Sequence, residues 1–573
     1  MPIDCRGRIL SDDYYDAITD FPVELLEDYT DEQCYADVDG LYNVIYFGRE
    51  ELRNPQAYFI SYRSVPKLYG LMQEGGGTGG FDPNSLIASG ITQVQREPLA
   101  LTGRGVIICI VDTGIDYTDP VFRNEDGTSR ILAIWDQTVQ TGTPPVGFQY
   151  GTEFTREDIN RALQSEDPYS VVPSRDEIGH GSALASVAAG SRLNGGYTFQ
   201  GAAPGADIVV VKLKECKPYL RSFYLVPQGV PAYQENDIML GVQYADGFAE
   251  PFRRPVVICL GMGTNYGDHT GNSPLGRYLS AVAVKRSRAV VVAGGNEGNA
   301  AHHFQGQLNN QGGTGANSRA VEVRVEQGVE GFVMELWGSL PDIFTIAVRT
   351  PGGETIPPVR LGIRDQITYS FIYEKSRVTV TGNLVEPVSG EELVVMRVQD
   401  PTPGIWTFQI EAVGEIHNGE FNMWLPVSQF LSAPVYFLES SPYITLTEPS
   451  MASSVIGVST YDAANNSFYI NSGRGFSRCG AIRPDFAAPG VDVPTVNGKG
   501  SNSSLAAAIT AGAVAQFMQW AVVEQNNSVV ESREIKNYFI RGASRSFDVT
   551  YPNREWGYGR LNMVGTFDAL IGV

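Results

Sequence analysis

The sequence predicts an α/β chain: a parallel sheet with flanking helices, preceded by a small α+β segment and interrupted by an all-β module. Three observations predict it. The apolar runs VIICIVD (106–112), ADIVVVKL (206–213), PVVICLG (255–261) and RAVVVAGG (288–295) alternate with longer amphipathic segments, as strands buried on both faces do. Between about 316 and 445 the texture changes to period-two alternation, as in AVEVRVEQ, GFVMELWG and ELVVMRVQ, with Gly, Pro and Asn between runs. That is an antiparallel sandwich or jelly roll. From Ser453 the α/β texture resumes, and Ser504 to Glu524 reads as the most persuasive helix of the chain.

The amino-terminal part mixes short strand-like runs, Leu41 to Tyr46 and Tyr58 to Tyr62, with helical patches, and Gly75 to Gly80 (GGGTGG) is the clearest flexible break. The predicted division is therefore 1–73, 74–315, 316–445 and 446–573, with the first and third parts set against a split α/β domain. At about 150 residues per domain, 573 residues allow three to four modules. A chain that is 43% hydrophobic and 18% charged is not disordered, collagenous or a coiled coil.

The net charge of −22 argues against nucleic acid or an anionic membrane surface as main partner, since both repel an acidic protein. No run of 18 apolar residues is present, so no membrane span is predicted. The opening MPIDCRGRIL lacks the apolar stretch of a secretory signal, which predicts an intracellular protein. Six cysteines are too dilute for a disulfide scaffold, and Cys109 and Cys259 lie in apolar runs as small buried hydrophobes.

Four strings carry candidate chemistry. Val111-Asp112-Thr113-Gly114 closes an apolar strand, at the end where open α/β sheets place their sites. Gly179-His180-Gly181-Ser182 opens a small-residue helix in a chain with only five histidines. Asn502-Ser503-Ser504 opens the long helix, where a serine also serves as an N-cap. Gly294-Gly295-Asn296 follows a buried strand and presents an amide among glycines. Each alone has a structural explanation. Together they supply a hydroxyl nucleophile, an imidazole to take its proton, a carboxylate to orient the imidazole, and a donor for a developing oxyanion. The chain order Asp, His, Ser on a parallel sheet is the subtilisin order.

These strings resemble the motifs of the subtilisin-like serine proteases (peptidase S8). The resemblance implies that Asp112 orients His180, that His180 is general base and then general acid, and that Ser504 is the nucleophile. Asn296 and the Ser504 N–H would form the oxyanion hole. It further implies a substrate-binding strand at Gly261-Met262-Gly263, a neighbouring wall at Gly294 and Gly295, a protein or peptide substrate bound as an extended strand, no cofactor and no catalytic metal. The strings TGRGVIICIVDTGIDYTDPVFRNEDGTSRILAIWDQT, NEGNAAHHFQG and EWGYGRLN are similar to the clostridial germination-type subtilases, the Csp group. Members carry an amino-terminal prodomain and a jelly roll inserted before the catalytic serine, so residues 1–73 would be an intramolecular chaperone and inhibitor, and a spore-associated location joins the intracellular one.

Two departures stand out. Asn502-Ser503 replaces the family's Gly-Thr before the nucleophile, and an asparagine tolerates a positive φ better than other non-glycine residues, should that position need one. The substrate strand reads Gly-Met-Gly rather than Ser-Leu-Gly, which main-chain pairing survives and side-chain preference does not. By analogy with the family, the string Leu71-Met72-Gln73 would be a tail held in the cleft, with self-cleavage between about Leu71 and Asp82, near Gln73, and the bond after Gln73 favoured. The function implied is a self-processing serine endopeptidase, with proteolytic signalling in spore germination as its most specific form; the alternative is an inactive subtilase scaffold that senses a ligand.

Overall fold

The computed structural model describes residues 5–21, 34–48, 62–72, 84–193, 199–248, 250–309, 317–360 and 362–571. Its centre is a nine-stranded sheet. Parallel strands run in the order Ile456–Asp462, Arg288–Ala293, Val256–Leu260, Ile107–Asp112, Asp207–Lys212 and Ile131–Asp136. Phe486–Pro489 also joins Ile456–Asp462 in parallel, while the antiparallel strands Ser467–Phe468 and Thr152–Thr155 lie at the ends.

The unbroken apolar runs follow from burial on both faces. Along Ile107–Asp112 every residue is buried, and alternate side chains enter different cores. Ile108 and Ile110 join Leu184, Ala185, Ala507 and Ala508, from helices His180–Ala189 and Ser503–Met518. Ile107, Cys109 and Val111 join Ile238, Val242 and Leu279, from helices Glu235–Phe248 and Pro274–Ala283. A period of two thus puts one strand to use on two faces. The segment Ser503–Val523 is long and apolar enough to cross a membrane, with a mean hydropathy of 1.4. It is instead 83% buried inside the molecule, as the central helix of a layered core.

The expected all-β texture corresponds to a six-stranded and a five-stranded antiparallel sheet facing each other. Val321, Val323, Met334, Leu336, Phe408 and Ile410 fill the space between them. The strand Gly331–Gly338 is buried on both sides: Phe332, Met334 and Leu336 face the space between the sheets, whereas Val333 and Trp337 pack into the core of the large sheet. The module is therefore bonded to the rest through a continuous apolar layer. Its first strand, His303–Gln307, begins ahead of residue 316 and pairs with Glu420–Trp424; short and interrupted by Gly306, it gave no alternation to read.

The amino-terminal segment forms a three-stranded antiparallel sheet from Tyr14–Thr19, Tyr35–Val38 and Tyr42–Gly48. Of the strand-like run at Tyr58 to Tyr62, only Tyr62 is described, and it lies in a turn; the GGGTGG break lies outside the described residues. Cys5 and Cys34 are joined by a disulfide, a pairing the dilute cysteines did not suggest, while Cys109, Cys216 and Cys259 are buried thiols. This segment docks through buried polar groups as well as apolar ones. Asp16 receives Lys217 Nζ at 2.6 Å, Gln234 Nε2 at 2.6 Å and Asn236 Nδ2 at 3.2 Å. Tyr62 donates to Glu335 of the module, and Glu335 also accepts the Gly267 N–H at 3.0 Å, so three parts of the chain meet at one carboxylate.

Removing one member of a buried ion pair leaves the other uncompensated in a low-dielectric site, at a cost of about 3–5 kcal/mol. Asp16→Ala is expected to destabilise the intact chain by that amount in urea unfolding, with the Lys217 ammonium left buried on the Arg8 and Tyr14 carbonyls without its carboxylate. A loss below about 1 kcal/mol would show that the docking does not depend on this pair.

Candidate active site

Strand, helix and loop ends bring the candidate residues together at the carboxyl edge of the sheet. Asp112 is the last residue of Ile107–Asp112, His180 the first of His180–Ala189, and Ser504 the second of Ser503–Met518. Asn296 follows the strand Arg288–Ala293. Asp112 and Ser504 are fully buried and His180 is 4% exposed.

His180 Nδ1 lies 2.7 Å from Asp112 Oδ1, which also accepts the Thr113 N–H at 2.8 Å. A carboxylate so placed holds the proton on Nδ1 and leaves Nε2 as the basic end of the ring. Nε2 has no hydrogen-bond partner among the described residues. The Ser504 hydroxyl lies 2.8 Å from Met72 O and 2.9 Å from Gly261 O. Ring and serine flank one small space: a Cβ on Gly261 would sit 2.9 Å from His180 Cε1 and 3.2 Å from Ser504 Cβ.

The loop before His180 is held by Asp176, which sequence reasoning missed. One oxygen accepts Thr113 Oγ1 at 2.7 Å and the Gly179 N–H at 2.8 Å; the other accepts the N–H and hydroxyl of Ser182 at 2.8 and 2.7 Å. The carboxylate ties the end of the Asp112 strand to the start of the His180 helix. Gly181 permits the approach, since a Cβ there would lie 2.2 Å from Gly114 O. Nothing in the local string DEIGHG distinguished this aspartate from a solvated one.

Asn502 has an extended φ of −169°, so this position asks for no left-handed backbone. Its side chain accepts the Leu505 N–H at 2.9 Å and caps the helix. The capping role open to Ser504 thus falls to Asn502, and the Ser504 hydroxyl is free for other work. Ser503 Oγ accepts the Gly295 N–H at 3.1 Å, and Asn296 Oδ1 accepts the Ser503 N–H at 3.0 Å. Holding the oxygen of the Asn296 amide fixes which end is left to donate.

Gly261-Met262-Gly263 is paired with the amino-terminal segment. Leu68–Leu71 runs antiparallel to it, with Leu71 opposite Met262 and Gly70 opposite Gly263, and the Met72 N–H reaches Gly261 O at 2.9 Å. On its other edge the same strand pairs with Tyr233–Gln234. The residues Leu68 to Met72 are almost wholly buried. Gln73, the favoured cleavage position, lies outside the described residues; the carbonyl presented to Ser504 is that of Met72.

Two further residues shape the cleft. Thr447 stands between the glycine walls: a Cβ on Gly263 would come within 2.3 Å of its Oγ1, and one on Gly295 within 2.6 Å of its Cγ2. Its hydroxyl is buried without a partner among the described residues. Gly294 packs against Val458 O and Leu446. Beside Thr447, the fully buried Glu448 accepts the Gly271 N–H at 2.9 Å, and burial, reinforced by Asp268, pushes its carboxyl up to about 8.

The Subtilase family model matches residues 103–323 and 440–559, more than half of the chain. The chain belongs to the subtilase family. The unmatched stretch between the two parts of the match falls within the two-sheet module of this subtilase. The CspB protease of Clostridium perfringens is similar in structure, with a TM-score of 0.74 and 27% identity over 86% of this chain and 100% of that one. Fervidolysin from Fervidobacterium pennivorans, a keratinolytic enzyme related to subtilisin, is 13% identical with a TM-score of 0.47, over 98% of this chain and 62% of that one. No curated protein is significantly similar to the subtilase. Membership and the CspB likeness make it a serine protease of subtilisin type.

Folded Glu448 keeps its proton at neutral pH, whereas in the unfolded chain it ionises near its ordinary 4.5. The folded state then binds the extra proton, so the stability this group lends is complete at low pH and is lost as pH rises towards about 8. Thermal unfolding between about pH 5 and pH 8 is expected to show a shallower fall in midpoint for Glu448→Gln than for wild type. Parallel curves would remove Glu448 as the cause.

Proposed function

We propose that the chain is a serine endopeptidase made as a zymogen, whose residues 1–72 are a prodomain that occupies its own cleft as first substrate. The observation that carries this reading is the placement of Met72. Its N–H pairs with Gly261 O as an extended substrate would, and its carbonyl touches the Ser504 hydroxyl at 2.8 Å. The bond so offered is Met72–Gln73, one residue ahead of the one favoured from sequence.

The chemistry follows from the geometry. Ser504 Oγ turns its proton towards His180 Nε2 and attacks the Met72 carbonyl carbon, while Asp112 stabilises the imidazolium that forms. Negative charge collects on the carbonyl oxygen, where the Asn296 amide and the Ser504 N–H serve as donors. The imidazolium then protonates the departing nitrogen of Gln73, and water releases Met72 from the serine by the same steps in reverse. In this reading the two-sheet module is the jelly roll, and the sequence resemblance to germination-type subtilases supports spore germination signalling as the setting of the later protein substrate.

Intact mass and amino-terminal sequencing test this directly. Wild type is expected to yield a fragment beginning at Gln73, whereas Ser504→Ala remains one uncut chain. Both remaining whole would overturn the zymogen reading in favour of a catalytically silent scaffold. By the measure of subtilisin, Ser504→Ala or His180→Ala lowers turnover on the order of 10⁶-fold. Asn296→Ala is expected to slow self-cleavage by about 10²–10³-fold without moving the cut.

A further inference from the structure

We propose that Gln429, carried on a turn of the inserted module, restricts this cleft to substrates with glycine at the third residue before the cut bond. The inference rests on the reading of Met72 as the first residue before that bond, which makes Leu71 the second and Gly70 the third. Gln429 lies in the turn Ser428–Phe430, which follows the module strand Glu420–Trp424. Its Nε2 donates to Leu71 O at 2.6 Å. A Cβ on Gly70 would lie 2.1 Å from that Nε2, 2.6 Å from Cδ and 3.1 Å from Cγ. Any side chain at the third position therefore displaces the amide.

A glutamine end is ordinarily easy to move, and two features make this one costly to displace. Moving it breaks the hydrogen bond to Leu71 O, leaving a buried carbonyl unpaired. The turn itself is fixed by Glu297, the residue after Asn296. Glu297 Oε1 accepts the N–H and hydroxyl of Ser428, both at 3.0 Å, and its other oxygen lies 2.6 Å from His302 Nδ1. Burial of Glu297 opposes its ionisation, but the His302 ring and the Ser428 donors outweigh it and hold the carboxyl below its ordinary value. A charged anchor beside the oxyanion site thus holds the module's turn over the cleft. Gly263 faces Gly70 across the strand pair, so on neither side is there a side chain to compensate.

The test is a double-mutant cycle of Gly70→Ala and Gln429→Ala, read in two ways. In the Ser504→Ala chain, which needs no activity, Gly70→Ala is expected to lower the thermal midpoint. Adding Gln429→Ala is expected to restore most of it, a coupling that two independent sites do not show. In the otherwise wild-type chain, Gly70→Ala is expected to slow self-cleavage at least tenfold, and the double variant to return to the rate of Gln429→Ala alone. A Gly70→Ala defect that Gln429→Ala leaves untouched in the thermal cycle overturns the proposal, as does no defect at all. Absence of cleavage in every chain, with the thermal coupling intact, would instead count against the protease reading and leave the steric filter standing.

Discussion

Main-chain pairing between Gly70-Leu71-Met72 and Gly261-Met262-Gly263 is the interaction on which the site depends. Antiparallel ladders fix register as well as direction, because each residue faces one partner and a slip of one reverses every side chain. With Gly70 opposite Gly263, the next hydrogen bond falls at Met72 N–H and the next carbonyl arrives at Ser504. The chemistry of the serine would be without an object if that register moved by a single residue.

Around this ladder the molecule is a set of long-range ties. Asp176 joins the Asp112 strand to the His180 helix, Ser503 and Asn296 join the Ser504 helix to the loop after Arg288–Ala293, and Glu297 joins that loop to the inserted module. Asp16 with Lys217, and Tyr62 with Glu335, fasten the amino-terminal segment from its other side. Each tie is a hydrogen-bonded group, buried or partly buried, with at least one partner distant in sequence. Such groups contribute little by themselves and a great deal to uniqueness, because leaving any one unpaired is costly.

The inserted module belongs to the same logic. Its sheet strand Gly331–Gly338 is buried on both faces, and its final turn lies over the cleft through Gln429. An element whose alternation reads as a sandwich in its own right therefore also contacts the strand that pairs with Met262 and Gly263. The helix Ser503–Val523 makes a similar point: a hydropathy that suits a membrane is satisfied by packing against the central sheet.

The four chemical residues were legible because each sits in a short string whose neighbours have local reasons to be there: a strand end before Asp112, glycines around His180 and Asn296, a helix start at Ser504. Asp176, Gln429 and Glu297 were not, since a carboxylate or an amide in a loop has the same local appearance whether it faces water or a partner tens to hundreds of residues away, and Thr447 was not, since a lone threonine carries no sign of the glycines it packs between. The capping of Asn502 and the early strand at His303 were hidden for a related reason: a cap is decided by backbone angle, and a five-residue strand by the neighbour it pairs with. Sequence alone determined the layers, the interruption and the four candidate strings, because periodicity and helix or strand termini are written within a few residues of chain. Only the folded molecule decided register, the placement of Met72 and the walls of the cleft, because those are set by distances between segments that share no local pattern.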